Sequence, residues 1–312
     1  MRRALVAGGS GLLGRPLVQA LLGHGVEVTV LSRRPAEIPG AIWVGHDLAA
    51  AGPLPESLLE GVDCLFHLAS HSGAGGDGEA GAGHQQVTVQ GTERLLQAAI
   101  RQGVARFLFV SSVRAEAAAS DYGHAKRGAE QRVLAASPAM HCSVLRLPAL
   151  YGPAERGNLA RLVRLIERGR LPPLPETGNR RSLLHLEDAV AALLALAEGE
   201  GGNGRLYTLT DGEYYSGARI DRAIRAALGR SPPRWAPPLW MWRLAAASGD
   251  RLGAWLGRAM PLDSARLDKL LGDAWYDDRA IRQEIGIQTQ WTLERALPRI
   301  LAAYRSGPPP RP

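Results

Sequence analysis

Along the first half of the chain, short apolar runs alternate with stretches of helical periodicity. "RALVAG" is an apolar run of strand length that ends in glycines, and "GRPLVQALLGHG" places its apolar residues three and four apart. "VEVTVL", "AIWVG", "DCLFHLA", "RFLFVSS" and "CSVLRL" read as further buried strands, while 85–102 and 122–136 read as helices between them. Strand–helix alternation of this kind predicts a parallel sheet covered on both faces. Residues 71–84 are glycine-rich and read as a mobile loop beside the site. After Tyr151 the texture changes: prolines cluster at 172–175 and 232–238, and helical patterns dominate. The expectation is an α/β protein with a Rossmann-type doubly wound domain over 1–155, to which 182–209 returns, and a smaller, mostly helical substrate domain over 156–312. Residues 235–256 are tryptophan-rich and amphipathic. They read first as a helix that packs its tryptophans on the second domain, with an apolar substrate wall or a membrane contact as the other readings. The "SGPPPRP" tail reads as disordered.

Composition narrows this picture little. A chain of 312 residues with 46% hydrophobic and 21% charged content fits a soluble protein with ample core. No run is long and apolar enough to span a membrane. The net charge of +7 favours anionic ligands, but the arginines are dispersed and no nucleic-acid module is present, so no nucleic-acid partner is expected. Cys64 and Cys142 lie in separate apolar runs and read as small buried hydrophobes, without a metal pattern. A reducing, cytoplasmic setting is expected.

Chemistry concentrates in three places. "VAGGSGLLG" puts Gly8, Gly11 and Gly14 at the junction of the first strand and first helix, where backbone amides and the helix N-terminus receive a dinucleotide pyrophosphate. Ser10, Leu12 and Leu13 complete that loop. The second strand ends in Ser32, Arg33 and Arg34, where an NAD-selective fold places an acid. Guanidinium there favours a 2′-phosphate and hence NADP(H), with NAD possible. Asp47 and Leu48 follow the third strand, and Leu68, Ala69 and Ser70 the fourth, at cofactor-lining positions. The fifth strand ends in Ser111 and Ser112. Tyr122 and Lys126 follow, one helical turn apart and therefore on one helix face. Lys126 is one of only two lysines in the chain.

"GGSGLLG", "HLAS", "VTVQGTERLLQAA", "FLFVSS", "YGHAK", "LRLPALYGP", "RRSLLHLEDAV" and "YTLTDGE" together resemble the extended short-chain dehydrogenase/reductases, the NAD(P)-dependent epimerase/dehydratase family. The resemblance implies that Tyr122 is the acid/base, that Lys126 tunes its phenol and holds the nicotinamide ribose, and that Ser112 hydrogen-bonds the reacting oxygen. It further places Ser111 and Pro148 against the cofactor. Asn158, Arg161 and Arg181 become substrate contacts, with Arg181 on a diphosphate. A homodimer through helices 85–102 and 122–136 and the absence of a catalytic metal are also implied.

Three departures qualify the resemblance. Thr88 stands where the family has asparagine, the segment from Ser112 to Tyr122 is short and lacks the "VYG" step, and no Asp-Glu pair follows the serine, which argues against a dehydratase. Three functional readings remain open at this stage. One is a 4-keto reductase or 4-epimerase acting on a nucleotide sugar. Another is a 3β-hydroxysteroid-dehydrogenase-like ketoreductase of a hydrophobic substrate. The last is a cofactor-binding subunit without catalysis. His185, in an apolar run, reads as structural.

Overall fold

The computed structural model describes residues 1–306 except 51, 53, 71–82, 156, 232–234, 258–259 and 261–262. The glycine-rich loop and the proline-rich tail therefore lie outside the described residues. The chain forms two compact units. The first comprises 1–148, 186–210 and 277–290; the second comprises 149–185, 211–276 and 291–312. The segment 277–290, expected with the substrate domain, thus belongs to the sheet unit.

The first unit is built on a seven-stranded, wholly parallel sheet. Its strands are β1 (Arg3–Ala7), β2 (Glu27–Ser32), β3 (Ile42–Gly45), β4 (Cys64–His67), β5 (Arg106–Ser112), β6 (His141–Leu147) and, beyond the short strands of the second unit, β9 (Arg205–Thr208). Their order is β3-β2-β1-β4-β5-β6-β9. Every residue of β4 is buried, as are all but the ends of β5, so the run of apolar residues follows from cover on both faces. Helices α1 (Gly14–Gly23) and α6 (Leu186–Glu198) pack against one another, as do α2 (Gly91–Arg101) and α4 (Asp121–Ala135). The order reverses between β1 and β4, and a crevice at such a switch point lies beyond the carboxyl ends of the strands. Cys64 and Cys142 are buried in β4 and β6, as expected.

Two details differ from the sequence expectation. The run "AIWVG" forms an edge strand, with Ile42 and Trp43 exposed. An apolar run shows strand propensity but does not say whether a neighbour will cover it. The expected helix 85–102 is interrupted: Gln85–Gln90 is a π-helical segment that leads into α2. Such segments often mark functional positions.

The second unit holds the two-stranded parallel sheet β7 (Ala149–Tyr151) and β8 (Leu183–His185). Its helices are α5 (Asn158–Glu167), α7 (Gly217–Ala227), α8 (Leu239–Leu256), α9 (Ser264–Leu271) and α11 (Leu293–Ser306), with the short α10 (Arg279–Ile285) assigned to the first unit. Its main core joins Tyr151, Val163, Ile166, Tyr215, Ile224, Leu297 and Ile300. His185 is buried with its ring 5.2 Å from Tyr151 and 4.9 Å from Trp291, as a structural histidine should be. The tryptophans of 235–256 do not all pack inward: Trp242 is buried, but Trp235, Trp240 and Trp255 are exposed.

A buried carboxylate organises this core. Asp211 accepts hydrogen bonds from the hydroxyls of Tyr215 (2.7 Å) and Tyr151 (3.0 Å). Burial outweighs these bonds and lifts its pKa to about 6. A carboxyl whose folded pKa exceeds its unfolded value stabilises most below the unfolded value and loses that contribution as pH rises through the folded one. Asp211 should therefore stabilise the fold at pH 4 more than at pH 7, by roughly 3 kcal/mol. Thermal unfolding of wild type and D211N across this range checks the expectation. The difference between them should narrow as pH rises through about 6.

Candidate active site

The loop after β1 has the geometry of a phosphate cradle. Gly8 has φ +87°, and a Cβ there would stand 2.7 Å from the Ala69 nitrogen. A Cβ on Gly14 would fall 2.6 Å from the Cα of Gly9. The first glycine thus lets the loop touch the end of β4, and the third lets α1 start against the loop. No acidic residue occupies the first turn of α1 and no side chain caps it, so its positive end is uncompensated. Ser10, Gly11, Leu12 and Leu13 line the same turn. Leu68, Ala69 and Ser70 follow β4 directly, half-buried.

At the end of β2, the Ser32 hydroxyl donates to the Arg34 carbonyl (2.7 Å) and accepts from the Trp43 indole (3.1 Å). This closes the turn that carries Arg33 and Arg34, both exposed and neither with an acidic partner among the described residues. Asp47 accepts from the Ala49 amide and closes its own turn, and Leu48 is buried with its carbonyl bonded by Arg94.

Ser112, Tyr122 and Lys126 all lie in the first unit, at the end of β5 and along α4. Ser112 ends β5. Alternation along the strand separates it from Ser111. The Ser111 hydroxyl donates to Glu130 at 2.5 Å. The Ser112 hydroxyl accepts from the Arg114 amide at 3.3 Å and lies near enough to Tyr122 to favour its ionised form. The short segment between them folds as the single-turn helix α3 (Arg114–Ala117), terminated by Ala118 in the left-handed region (φ 47°). Ser120 then caps α4 by accepting from the Gly123 amide, which sets Tyr122 in the first turn.

Lys126 is the most constrained group of the site. It is buried, its ammonium donates to the Val110 carbonyl (2.8 Å), and it stands 4.7 Å from the centre of the Phe109 ring. Burial pulls its pKa down to about 7, against the field of Glu130. The Tyr122 phenol is raised by burial; Ser112 and the nearby Arg114 oppose that shift.

Sequence reasoning missed the groups that support this site. Glu130 is one turn beyond Lys126, buried, and receives a bidentate pair from Arg146 at 2.8 Å for both bonds. The only available signal was its i+4 spacing within "YGHAKRGAE". His67 lies buried 5.3 Å from Phe109 and bonds Thr92, which in turn donates to the carbonyl of Thr88. Burial and Lys126 hold this histidine neutral, down to about 3. Thr88, at the family's asparagine position, is fully buried and its hydroxyl has no partner. The His84 ring meets Tyr122 edge-on at 5.4 Å.

The remaining calls are scattered. Pro148 is buried directly after β6. Asn158 and Arg161 lie exposed in the first turn of α5, in the second unit. Arg181, also there, is half-buried and donates to the Gly272 carbonyl at 3.0 Å. This backbone bond ties the guanidinium to its own unit. No metal-binding group of His, Cys, Asp or Glu occurs among the described residues.

With this geometry in place, comparison with known proteins is informative. A sequence profile of the NAD dependent epimerase/dehydratase family matches residues 4–209. The chain belongs to this family. As a family member it is 25% identical to UDP-glucose 4-epimerase of Vibrio cholerae over 96% of this chain and 94% of that one. It is equally 25% identical to 3-beta-hydroxysteroid dehydrogenase of Mycolicibacterium neoaurum, over 97% and 91%. Among solved structures, MoeE5 in complex with UDP-glucuronic acid and NAD superposes with a TM-score of 0.75 at 22% identity, covering 97% of this chain and 99% of that chain. At that identity the likeness concerns the fold. The epimerase/dehydratase family is one of NAD-dependent enzymes, and the cradle after β1 fits a dinucleotide.

The Glu130 cluster yields a direct test. E130Q leaves Arg146 only its longer contact with Glu116 (3.7 Å) and removes the field that favours the ammonium form of Lys126. Chemical denaturation should show a loss of about 3 kcal/mol, typical of a broken buried pair.

Proposed function

We propose that this protein transfers hydride between NADP(H) and a carbinol or ketone carbon, with Tyr122, Lys126 and Ser112 as its working groups. The observation that carries the reading is the placement of Ser112, at the carboxyl end of β5, beside the half-buried Tyr122, with the buried Lys126 one turn further along α4. The bound nicotinamide would supply or accept the hydride. Gly8, Gly11 and Gly14 with the start of α1 would hold the pyrophosphate. Arg33 and Arg34 would hold the 2′-phosphate, and Leu68, Ala69, Ser70 and Pro148 would line the dinucleotide. Asp47 and Leu48 would meet the adenine.

In the direction of reduction, Tyr122 gives its phenolic proton to the carbonyl oxygen, and Ser112 donates a hydrogen bond to that oxygen. Lys126, whose pKa burial lowers to about 7, gains an anionic partner as the Tyr122 phenolate forms, which favours its ammonium form. The substrate reading we favour is C4 of a nucleotide sugar, by 4-keto reduction or 4-epimerisation. The likeness to a UDP-glucose 4-epimerase over nearly the whole chain and the net charge of +7 support it. Asn158 and Arg161, exposed at a helix start, would meet the nucleotide. The backbone bond of Arg181 leaves its diphosphate role to be tested. A hydrophobic alcohol or ketone is the second reading. It is supported by the likeness to a 3-beta-hydroxysteroid dehydrogenase and by the apolar outer face of α8. A homodimer is the assembly we expect.

The deciding experiment is NADPH consumption with a UDP-4-keto-6-deoxy-hexosamine and a hydrophobic cyclic ketone offered separately. Turnover of the sugar alone upholds the first reading; turnover of the ketone alone replaces it with the second. Y122F should lower kcat by at least about 10²-fold while cofactor affinity stays within a few-fold. If turnover with an accepted substrate survives in Y122F, the assignment of the acid/base is wrong. R33A/R34A should weaken NADPH binding at least about tenfold and leave NADH nearly unchanged, because only the 2′-phosphate needs the guanidinium forks.

A further inference from the structure

Helix α8 (Leu239–Leu256) is apolar on both sides. At 3.6 residues per turn, Trp242 and Ala246 share the inner stripe and pack with Leu174 and Leu267. The outer side carries Trp240, Met241, Leu244, Leu252 and Trp255. Trp240 is 65% exposed, Leu244 61% and Trp255 81%. Trp235, just before the helix, is 64% exposed. Isolated exposed apolar residues are ordinary, but two groups of them on one side of a single helix, Trp240–Met241–Leu244 and Leu252–Trp255, mark an interaction surface.

The charges around these two groups identify their partner. Arg243 and Arg251 are exposed on the same helix and have no acidic partner among the described residues. The helix has one acid, Asp250, and that carboxylate is occupied by the amide and hydroxyl of Ser264. A second copy of the face would bring arginine toward arginine, with no carboxylate left to pair with either. An anionic lipid surface meets every feature: acyl chains take the leucines, indoles settle at the headgroup boundary, and arginines meet lipid phosphates. No described helix is long and apolar enough to cross a membrane. We propose that the outer face of α8 docks the protein on the interface of an anionic lipid bilayer, with the helix lying in the plane of the surface.

Flotation of the full chain with vesicles of phosphatidylglycerol and phosphatidylcholine, and with phosphatidylcholine vesicles alone, tests this. The protein should float with the anionic vesicles and only weakly with the neutral ones, and raised salt should release it. W240S/W255S should bind at least about tenfold more weakly. R243Q/R251Q should lose roughly fivefold per arginine on anionic vesicles only. NADPH binding by each variant, a property of the other unit, shows that the chain still folds. Failure of the wild-type protein to float overturns the proposal. So does flotation unaffected by both pairs of substitutions. If W240S/W255S instead abolishes self-association in a lipid-free solution and no vesicle binding is seen, the face belongs to a second copy and the proposal falls.

Discussion

A buried ammonium is the constraint around which the sheet unit is arranged. Lys126 has left water, and an uncompensated charge in that position would be costly. The structure meets the cost with the Val110 carbonyl, the face of Phe109 and the field of Glu130. Each of these comes from a different requirement of the fold. Val110 and Phe109 belong to the middle of β5, so the strand must run deep beneath α4. Glu130 sits one turn along α4 and is neutralised in turn by Arg146 of β6. The compensation therefore couples β5, β6 and α4, and two of these, β5 and α4, carry Ser112 and Tyr122. An arginine at position 126 would carry a larger, planar and permanently charged head into this space.

The compensation is incomplete, and that has chemical value. A lysine held near neutrality responds to the charge of its neighbours. A phenolate forming at Tyr122 would draw it toward the ammonium form, and loss of that charge would release it. The polar chain His67–Thr92–Thr88 runs through the same interior without adding charge, because burial keeps the histidine neutral. That chain therefore adds no charge to those that Lys126, Glu130 and Arg146 already bring to the interior.

Much of this was legible before any coordinates. The strand–helix alternation predicted the parallel sheet, and the positions of Gly8, Gly14, Ser112, Tyr122 and Lys126 at strand ends or on one helix face predicted where chemistry would gather. Other features were not legible. Ser111 and Ser112 look alike in sequence, yet one hydroxyl donates to Glu130 and the other lies beside Tyr122. The run at Ile42–Gly45 looks as buried as β4, but it lies at the edge of the sheet. The Trp-rich helix satisfies its inner stripe with Trp242 and leaves Trp240 and Trp255 in water. Periodicity describes which residues share a face but not what the face meets.

By itself the sequence determined the fold class, the dinucleotide cradle and the Ser-Tyr-Lys spacing, because these depend on local backbone rules: strand alternation, glycine at a tight junction and the i, i+4 geometry of a helix. Tertiary structure decided the rest. It settled that Ser111 bonds Glu130, that the Val110 carbonyl holds Lys126, that Arg181 bonds the Gly272 carbonyl, and which side of α8 is covered. Those outcomes depend on residues far apart in the chain meeting in space, and on how much water their meeting excludes. Burial then turned an ordinary lysine into one poised near pH 7.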